Sequence, residues 1–459
     1  FFFFFCVICD FSPMVVLDFF VCKFMIFFKL KCAKKDVHLL TQKNIDKMTE
    51  SLIFTPCQIG PITLRNRTIR SAAFENMCAE NKPTELLFNY HTAVARGGIG
   101  MTTVAYAAVN KSGVSFDGQM YMREEIIPDL KKLTDAIHAE GAKASIQLGH
   151  CGNMTHWYTC GQIPVGASSG FNLYSPTIVR KLRENEIYDL VIDFGKATEM
   201  AMRAGFDCVE IHAGHGYLIS QFLSPYTNHR RDKFGGSLDN RMRFMRLVLE
   251  EVKRVADGKI AVVVKTNMFD GFKSGLQREQ CLEVAKEMEK IGVDALVLTA
   301  GFVSKAPMTV MGGAMPLKTL KHYMPMKTFW WLRLALTFVG RLMIPTVPYK
   351  NAYFLEDAKV FRKELKMPLI YVGGMVDKND METVLNEGFV AFQMARSLIR
   401  DTDFVNKLRE GKTTRSECMH SNYCVGRMYT IDMKCHSCVE NLPEKLKREI
   451  EKAEAVNRK

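Results

Sequence analysis

The stretch FDCVEIHAGHGYL, residues 206–218, joins an apolar run to two histidines and a tyrosine. The apolar part is typical of a strand buried inside a sheet. His212, His215 and Tyr217 follow at the point where that strand leaves the core. Three hydrogen-bonding side chains at such a position indicate a functional site.

Seven further short β-rich runs resemble this one, and amphipathic helical patterns separate them. The eight predicted strands cover residues 68–73, 100–109, 142–149, 206–213, 260–268, 293–301, 368–374 and 389–396. Strands that alternate with helices predict an α/β fold with a parallel sheet. The count of eight favours closure into a (β/α)8 TIM barrel, and an open doubly wound sheet is the alternative. In a barrel, the end of the fourth strand faces the active site.

One catalytic domain is expected over residues 51–400, interrupted by a long excursion after the sixth strand, at 302–350. Its part TFWWLRLALTFVGRLMIP is strongly apolar but carries two arginines. Either the excursion packs against the barrel, or it forms a lid or an interfacial helix for a hydrophobic substrate. Residues 401–459 form a short C-terminal tail with a cysteine cluster and a charged helix.

Residues 1–47 are apolar, rich in phenylalanine and interrupted by Asp10, Pro13, Asp18 and Lys23. We interpret them as a non-native or disordered extension, with Met48 as the start, and a membrane anchor is the alternative. Stable membrane insertion is not expected.

The 459 residues carry a formal charge of +13, which favours anionic ligands. No block of Lys and Arg is present, so nucleic acid is not an expected partner. The 14 cysteines are irregularly spaced, which favours a reducing, cytoplasmic location over a secreted disulfide scaffold.

Several motifs together identify a family. VEIHAGHGYL is followed by ISQFLSPYTNHRRDKFGGS, and ASIQLGHCG, IYVGGM and FQMARSLIRD stand at the ends of three other predicted strands. This set resembles the old yellow enzyme family of FMN-dependent oxidoreductases over residues 51 to about 400. Its His pair makes it similar to the FMN barrel of 2,4-dienoyl-CoA reductases.

The resemblance implies roles for the three side chains. His212 and His215 would donate hydrogen bonds to the carbonyl oxygen of an unsaturated substrate, which stabilises enolate charge. Tyr217 would protonate the α-carbon as a general acid. The alternatives are structural hydrogen bonding for the histidines and simple ring packing for the tyrosine.

The resemblance also implies a set of cofactor-binding residues. They are Ala72, Ala73, Gln147, Arg241, Gly373, Gly374, Ala395 and Arg396. Gln147 would contact the pyrimidine edge of the flavin, and Arg241 would contact the reduced ring. The glycines and Arg396 would hold the phosphate. The chain departs from the family pattern at Ala73 and Phe74, where a small polar residue or cysteine is usual, at Asn153, where arginine is frequent, and at Ala395, where glycine is frequent.

The tail cysteines Cys418, Cys424, Cys435 and Cys438 are four candidate thiolate ligands. Ser421 stands where the second thiolate of the iron–sulfur cluster of dienoyl-CoA reductases is expected. We therefore expect a tail without a metal or cluster. An iron–sulfur subunit of the dienoyl-CoA or 2-enoate reductase type is the alternative.

The expected activity is transfer of hydride from NADH or NADPH, through FMN, to the activated C=C bond of an α,β-unsaturated carbonyl compound. The expected substrate is a small enone or enoate, and the apolar excursion suggests a hydrophobic compound. Assembly into a homo-oligomer is a further expectation. A flavin-free phosphate-binding barrel and a non-catalytic flavin-binding protein are the alternatives from other classes.

Overall fold

Eight parallel strands close into a barrel in the computed structural model, which describes residues 51–172, 177–324, 326–428 and 431–457. The strands, β1 to β8, are Thr68–Arg70, Met101–Ala108, Lys143–Gly149, Cys208–Ala213, Ala261–Asn267, Ala295–Thr299, Leu369–Val372 and Ala391–Met394. The eight helices that follow them, α1 to α8, are Glu85–Arg96, Ile127–Ala139, Glu184–Arg203, Leu238–Ala256, Arg278–Ile291, Leu355–Glu364, Lys378–Asn386 and Arg396–Arg400. The predicted (β/α)8 barrel and all eight of its strands are confirmed, so the open sheet is excluded.

Closure is made by the pairing of β8 with β1, in which Phe392 lies opposite Thr68 and Met394 opposite Arg70. The strands are apolar because both faces are covered. In β5, Val262 and Val264 pack in the cluster that contains the outer helices, whereas Ala261 and Val263 pack in a second cluster inside the barrel. This burial on two faces explains why the strands lack a polar alternation.

A hairpin of Cys57–Ile59 and Ile62–Leu64 contributes to the inner cluster near the amino ends of the strands. It fills that end of the barrel with side chains, as expected for a packed core. The opposite end, at the carboxyl termini of the strands, carries the long loops.

Further helices and small strands lie in the loops and in the C-terminal tail. The helices are Trp157–Cys160, Leu218–Leu223, Pro307–Met311, Leu317–Tyr323, Met326–Phe338, Gly340–Met343, Phe404–Arg409, Tyr423–Arg427 and Glu444–Asn457, with 3-10 turns at Leu52–Phe54, Lys111–Gly113, Glu124–Ile126 and His436–Cys438. The small strands are Cys78–Ala79, Lys82–Pro83, Val165–Gly166, Gly170–Asn172 and Thr177–Lys181.

The excursion packs against the C-terminal tail. Its inward side chains Met308, Leu320 and Leu336 share one apolar cluster with Val425 of the helix Tyr423–Arg427. Glu449, from the last helix, accepts hydrogen bonds from the backbone N–H groups of Lys318 and Thr319, at 2.8 Å each. The barrel, the excursion and the tail belong to one compact unit, Leu52–Lys459.

None of the helices in the described ranges is both long enough and apolar enough to cross a membrane. The prediction for residues 1–47 lies outside the described residues.

Candidate active site

A cavity of about 250 Å³ opens at the carboxyl ends of the strands. Every barrel strand or the loop that directly follows it contributes to its wall. The contributions run in strand order through Ser71, Tyr106, Gln147, His212, Lys265, Thr299, Gly373 and Gln393. The cavity brings together all the predicted site residues except one: Ala72, Ala73, Gln147, His212, His215, Tyr217, Gly373, Gly374, Ala395 and Arg396.

His215 is held by the ends of two neighbouring strands. Its backbone N–H donates to Asn267 Oδ1 at 3.0 Å, and its Nε2 lies 2.8 Å from Thr299 Oγ1. Its φ is +58°, an uncommon conformation for a residue with a side chain. The turn after β4 thus aims the ring into the cavity rather than along the strand.

His212 and Tyr217 lie side by side. Their ring centroids are 4.4 Å apart, and the centroid of His215 lies 5.2 Å from that of His212. His212 is buried, and its Nδ1 has no hydrogen-bond partner among the described residues. An orphaned buried nitrogen on a cavity wall indicates a ligand that completes it.

Both histidines are neutral at physiological pH. Burial, followed by the charge of Lys265, lowers the pKa of His215 to about 3. Burial first, and then His215 and Lys265, hold the pKa of His212 well below its usual range. A neutral imidazole can donate one N–H hydrogen bond to a carbonyl oxygen without adding a full charge.

A buried carboxylate, Glu210, organises the floor of the cavity. It is 1% exposed and accepts hydrogen bonds from Gln147 Nε2 at 2.6 Å and from Gln393 Nε2 at 2.7 Å. Its Oε1 also lies 2.9 Å from Lys265 Nζ. One carboxylate therefore fixes three side chains that line the cavity.

Lys265 is a site residue that the sequence reasoning missed. It is buried, its Nζ donates to Ser71 Oγ at 3.2 Å, and burial lowers its pKa while Glu210 opposes that shift. The sequence does indicate Lys265, because it is the one charged residue in the apolar run IAVVVKTNM.

Arg241 does not reach the cavity. It lies in the first turns of α4, where it is buried and its Nη1 donates to the backbone carbonyl of Leu223. Burial lowers its pKa, and nearby Asp270 partly offsets the effect. Its Nη1 holds the helix Leu218–Leu223, whereas its buried Nε has no hydrogen-bond partner among the described residues. The flavin contact of Arg241 stays a prediction. Two cations do line the cavity, Lys265 and Arg396.

Gly373 and Gly374 form a backbone cradle with φ values of +138° and +69°. A Cβ at Gly374 would lie 2.8 Å from the backbone nitrogen of Ala352. Arg396 stands beside the cradle, where its Nη1 donates to Asn422 Oδ1 at 2.6 Å. It forms no ion pair with a carboxylate in the described part of the chain, so its charge is available to an anion.

The segment after β1 is fixed from below by Arg70. This fully buried side chain donates to the carbonyl oxygens of Thr103 and Ala73 and pairs with Glu75 at 2.6 Å. Ala72 and Ala73 consequently present backbone and methyl groups to the cavity. Neither Ala73 nor Phe74, which also lines the cavity, offers the polar side chain that the resemblance leads us to expect there.

The tail completes the wall with His420, Cys424, Val425 and Met428. Cys418, Cys424 and Cys435 line a much smaller pocket of about 20 Å³ beside Arg396, and Cys438 does not line it. Burial raises the pKa of Cys424 to about 12. Within the described ranges, no three His, Cys, Asp or Glu side chains are arranged to hold a metal ion. A tail without a metal stays a prediction.

A family model described as the NADH:flavin oxidoreductase / NADH oxidase family matches residues 52–326. The chain belongs to this family. It is 38% identical to a 4,4'-dithiodibutanoate disulfide reductase of Rhodococcus erythropolis, over 82% of this chain and 93% of that protein. It is 38% identical to an NADPH dehydrogenase of Listeria monocytogenes, over 58% of this chain and 78% of that protein. A solved structure of 2-naphthoyl-CoA reductase with 2-naphthoyl-CoA superposes with a TM-score of 0.71 at 25% identity, covering 87% of this chain and 58% of that one.

The predicted resemblance to the old yellow enzyme family is thus confirmed, and the protein is an NAD(P)H-dependent flavin oxidoreductase with FMN as its cofactor. The flavin-free barrel is excluded. The finer placement in the His-pair branch, near dienoyl-CoA reductases, stays a prediction.

The residues present fit FMN. His212 Nδ1 and Gln393 Oε1 are buried on the cavity wall without a partner among the described residues. The glycine cradle and Arg396 suit a phosphate, and the buried cation Lys265 suits an electron-rich ring.

Proposed function

We propose that this protein reduces the activated C=C bond of an α,β-unsaturated carbonyl compound. Bound FMN supplies hydride to the β-carbon of such a substrate. The observation that carries the proposal is the convergence of two neutral histidines and Tyr217 on one cavity.

The histidines act on the carbonyl oxygen. N–H groups of His212 and His215 donate to it and stabilise the negative charge that the oxygen gains as the β-carbon is reduced. Their burial keeps both rings neutral, so they do not compete with Tyr217 as acids. Thr299 and Asn267 hold His215 in place, so its geometry does not have to form during the reaction.

Tyr217 supplies the proton. Its ring lies against His212, and its phenol is the candidate acid for the α-carbon. One hydride at the β-carbon and one proton at the α-carbon convert the enone to the saturated carbonyl compound.

The remaining residues hold the cofactor in this proposal. Gln147 and Lys265 lie at the floor, where they suit the polar edge of the flavin ring, and Ala72, Ala73 and Ala395 allow close approach of backbone. Gly373, Gly374 and Arg396 suit its phosphate.

The test is a comparison of the two half-reactions in Tyr217→Phe. Bleaching of bound FMN by NADPH or NADH should stay within about threefold of the unaltered protein, while reoxidation by 2-cyclohexen-1-one should slow by about 10²–10⁴-fold. Tyr188→Phe, on the outer face of α3, is the matched control and should change neither step. Equal reoxidation rates in Tyr217→Phe and the control would overturn the role of Tyr217.

A second candidate is the reduction of a small organic disulfide. The similarity to the Rhodococcus disulfide reductase over 93% of that protein favours it. A hydride and a proton would cleave one S–S bond and release two thiols, with Tyr217 protonating the leaving thiolate. The substrate class that reoxidises the bleached protein faster identifies the reaction.

The cellular setting is part of the proposal. The irregular cysteines favour a cytoplasmic location, and a homo-oligomer is expected.

A titration of bleaching with each nucleotide decides whether NADH or NADPH is the donor.

A further inference from the structure

The excursion at 302–350 is unusual in its charge. It holds seven cations, Lys305, Lys318, Lys321, Lys327, Arg333, Arg341 and Lys350, and no Asp or Glu. Of the six whose side chains the structure describes, none forms an ion pair with a carboxylate in the described residues. A run of this length with cations alone is suited to an anionic surface.

The same segment exposes apolar side chains at helical spacing. We call them the apolar stripe: Trp330, Leu334, Phe338 and Leu342, which are 63%, 54%, 79% and 82% exposed. They lie four residues apart on the helices Met326–Phe338 and Gly340–Met343. The opposite face of the helix already packs on the protein, because it buries Leu336. The exposed side chains of the stripe are therefore not needed for that packing.

Cations border the stripe. Lys321 Nζ donates to Thr337 Oγ1 at 3.0 Å, and Arg333 Nη1 donates to the Met324 carbonyl at 2.9 Å. Arg341 is exposed immediately before Leu342. Burial lowers the pKa of Lys321, the positive charge of Lys445 lowers it further, and Arg333 and Lys318 add to this against the opposing charge of Glu449. Several positive groups are thus within electrostatic reach of one another around this helix.

We propose that the apolar stripe docks on the surface of an anionic lipid membrane, with the surrounding cations facing the lipid headgroups. An apolar face with Trp, flanked by Lys and Arg, is the composition of a helix that lies in the membrane interface without crossing it. A second copy of this chain fits less well, because two such faces would bring like charges together.

This docking would place the active site beside the lipid. Val303, Val310 and Met311 belong to the same segment and line the cavity. An apolar substrate dissolved in the membrane would therefore have a short path to the flavin site.

The experiment is co-sedimentation of the full-length holoenzyme with vesicles of phosphatidylcholine and phosphatidylglycerol in equal parts. The double variant Phe338→Ser, Leu342→Ser should lower the vesicle partition coefficient at least about tenfold, since each side chain loses the gain from entering the lipid. Ile178→Ser, 72% exposed on the small strand Thr177–Lys181, is the matched control and should bind as the unaltered protein does. Both proteins should keep their FMN content and their activity on a water-soluble enone.

A charge variant tests the contribution of the cations around the stripe. Arg341→Gln should weaken binding to these vesicles and leave the weaker binding to pure phosphatidylcholine unchanged, and high salt should reduce the difference. Vesicle binding that the double variant does not lower would overturn the proposal. So would a stripe that proves to be a dimer interface, seen as a loss of dimer in sedimentation velocity without a loss of vesicle binding.

Discussion

Replacing Glu210 by glutamine should damage stability and FMN binding together. The carboxylate accepts hydrogen bonds from Gln147 and Gln393 and neutralises Lys265, all in the barrel interior. A glutamine has one acceptor oxygen, so its own NH₂ must face another donor, and Lys265 loses its counter-charge. Removing one partner of a buried pair costs about 3–5 kcal/mol.

Part of that cost is relieved if Lys265 gives up its proton, because burial already lowers its pKa and Glu210 is the group that opposes the shift. The expected loss in the free energy of unfolding is therefore about 3 kcal/mol, measured by urea denaturation of the protein before FMN is added. The dissociation constant of FMN, measured by quenching of flavin fluorescence, should rise because two glutamines of the cavity wall, Gln147 and Gln393, lose their anchor.

The matched control is Glu140→Gln. Glu140 pairs with Arg96 at 2.7 Å on the surface, where the arginine side chain is 69% exposed, so the loss should stay below about 1 kcal/mol. The second variant Lys265→Met should recover part of the loss in the Glu210→Gln background, since it removes the buried charge that the first substitution left without a partner. A loss below about 1 kcal/mol in Glu210→Gln, with unchanged FMN affinity, would refute the role of Glu210 as the anchor of the floor.

Three further outcomes are expected. His150 is 1% exposed, accepts at Nδ1 from Gly152 N–H, and burial lowers its pKa to about 3. Between that pKa and about 6.5 the unfolded chain binds a proton that the folded protein does not, so stability falls as the pH drops. His150→Gln should reduce the loss of unfolding free energy between pH 7 and pH 5 by about 2 kcal/mol, and an unchanged pH slope would contradict this. Gly374→Ala should raise the FMN dissociation constant through the clash with Ala352. Gly236→Ala, with φ +83° and no atom within 4 Å, carries only backbone strain and should not raise it. Equal effects of the two variants would show that the glycine cradle does not hold FMN. Lys265→Met should make the flavin reduction potential more negative, by about 30 mV for each 1.4 kcal/mol of lost charge stabilisation, as measured by dye equilibration. An unchanged potential would place Lys265 away from the ring.

The barrel could be predicted from the sequence because its strands are buried on both faces and therefore stand out as apolar runs. The site histidines and Tyr217 could be predicted because they follow such a run directly. Each of these signals is local, so it survives without any knowledge of tertiary contacts.

Residues inside the strands were harder to assign. Glu210 and Lys265 point into the barrel, and neither reveals from its neighbours in sequence that the other balances its charge. Each is nevertheless a lone charge in an apolar run, and a charge in a buried strand needs a partner. Two lone charges in separate buried strands therefore predict a pair of the kind that Glu210 and Lys265 form at the floor of the cavity.

The surroundings of Arg241 could not be predicted from the sequence for a different reason. It begins a helix after a long loop, and the direction of its side chain depends on where the helix Leu218–Leu223 packs. The contacts of the tail could not be predicted either. The hydrogen bond from Arg396, at the start of α8, to Asn422, between Cys418 and Cys424, joins residues that are 26 positions apart. Contacts of this kind are set by packing and leave no periodic pattern.

The most direct test of the account is an anaerobic visible spectrum of the FMN-loaded protein through one catalytic cycle. The account predicts that NADPH or NADH bleaches the flavin absorbance, that 2-cyclohexen-1-one restores it, and that one equivalent of cyclohexanone is formed per flavin. A flavin that bleaches but is not restored by the enone, while a small organic disulfide restores it, would contradict C=C reduction and leave disulfide reduction as the activity of this cavity.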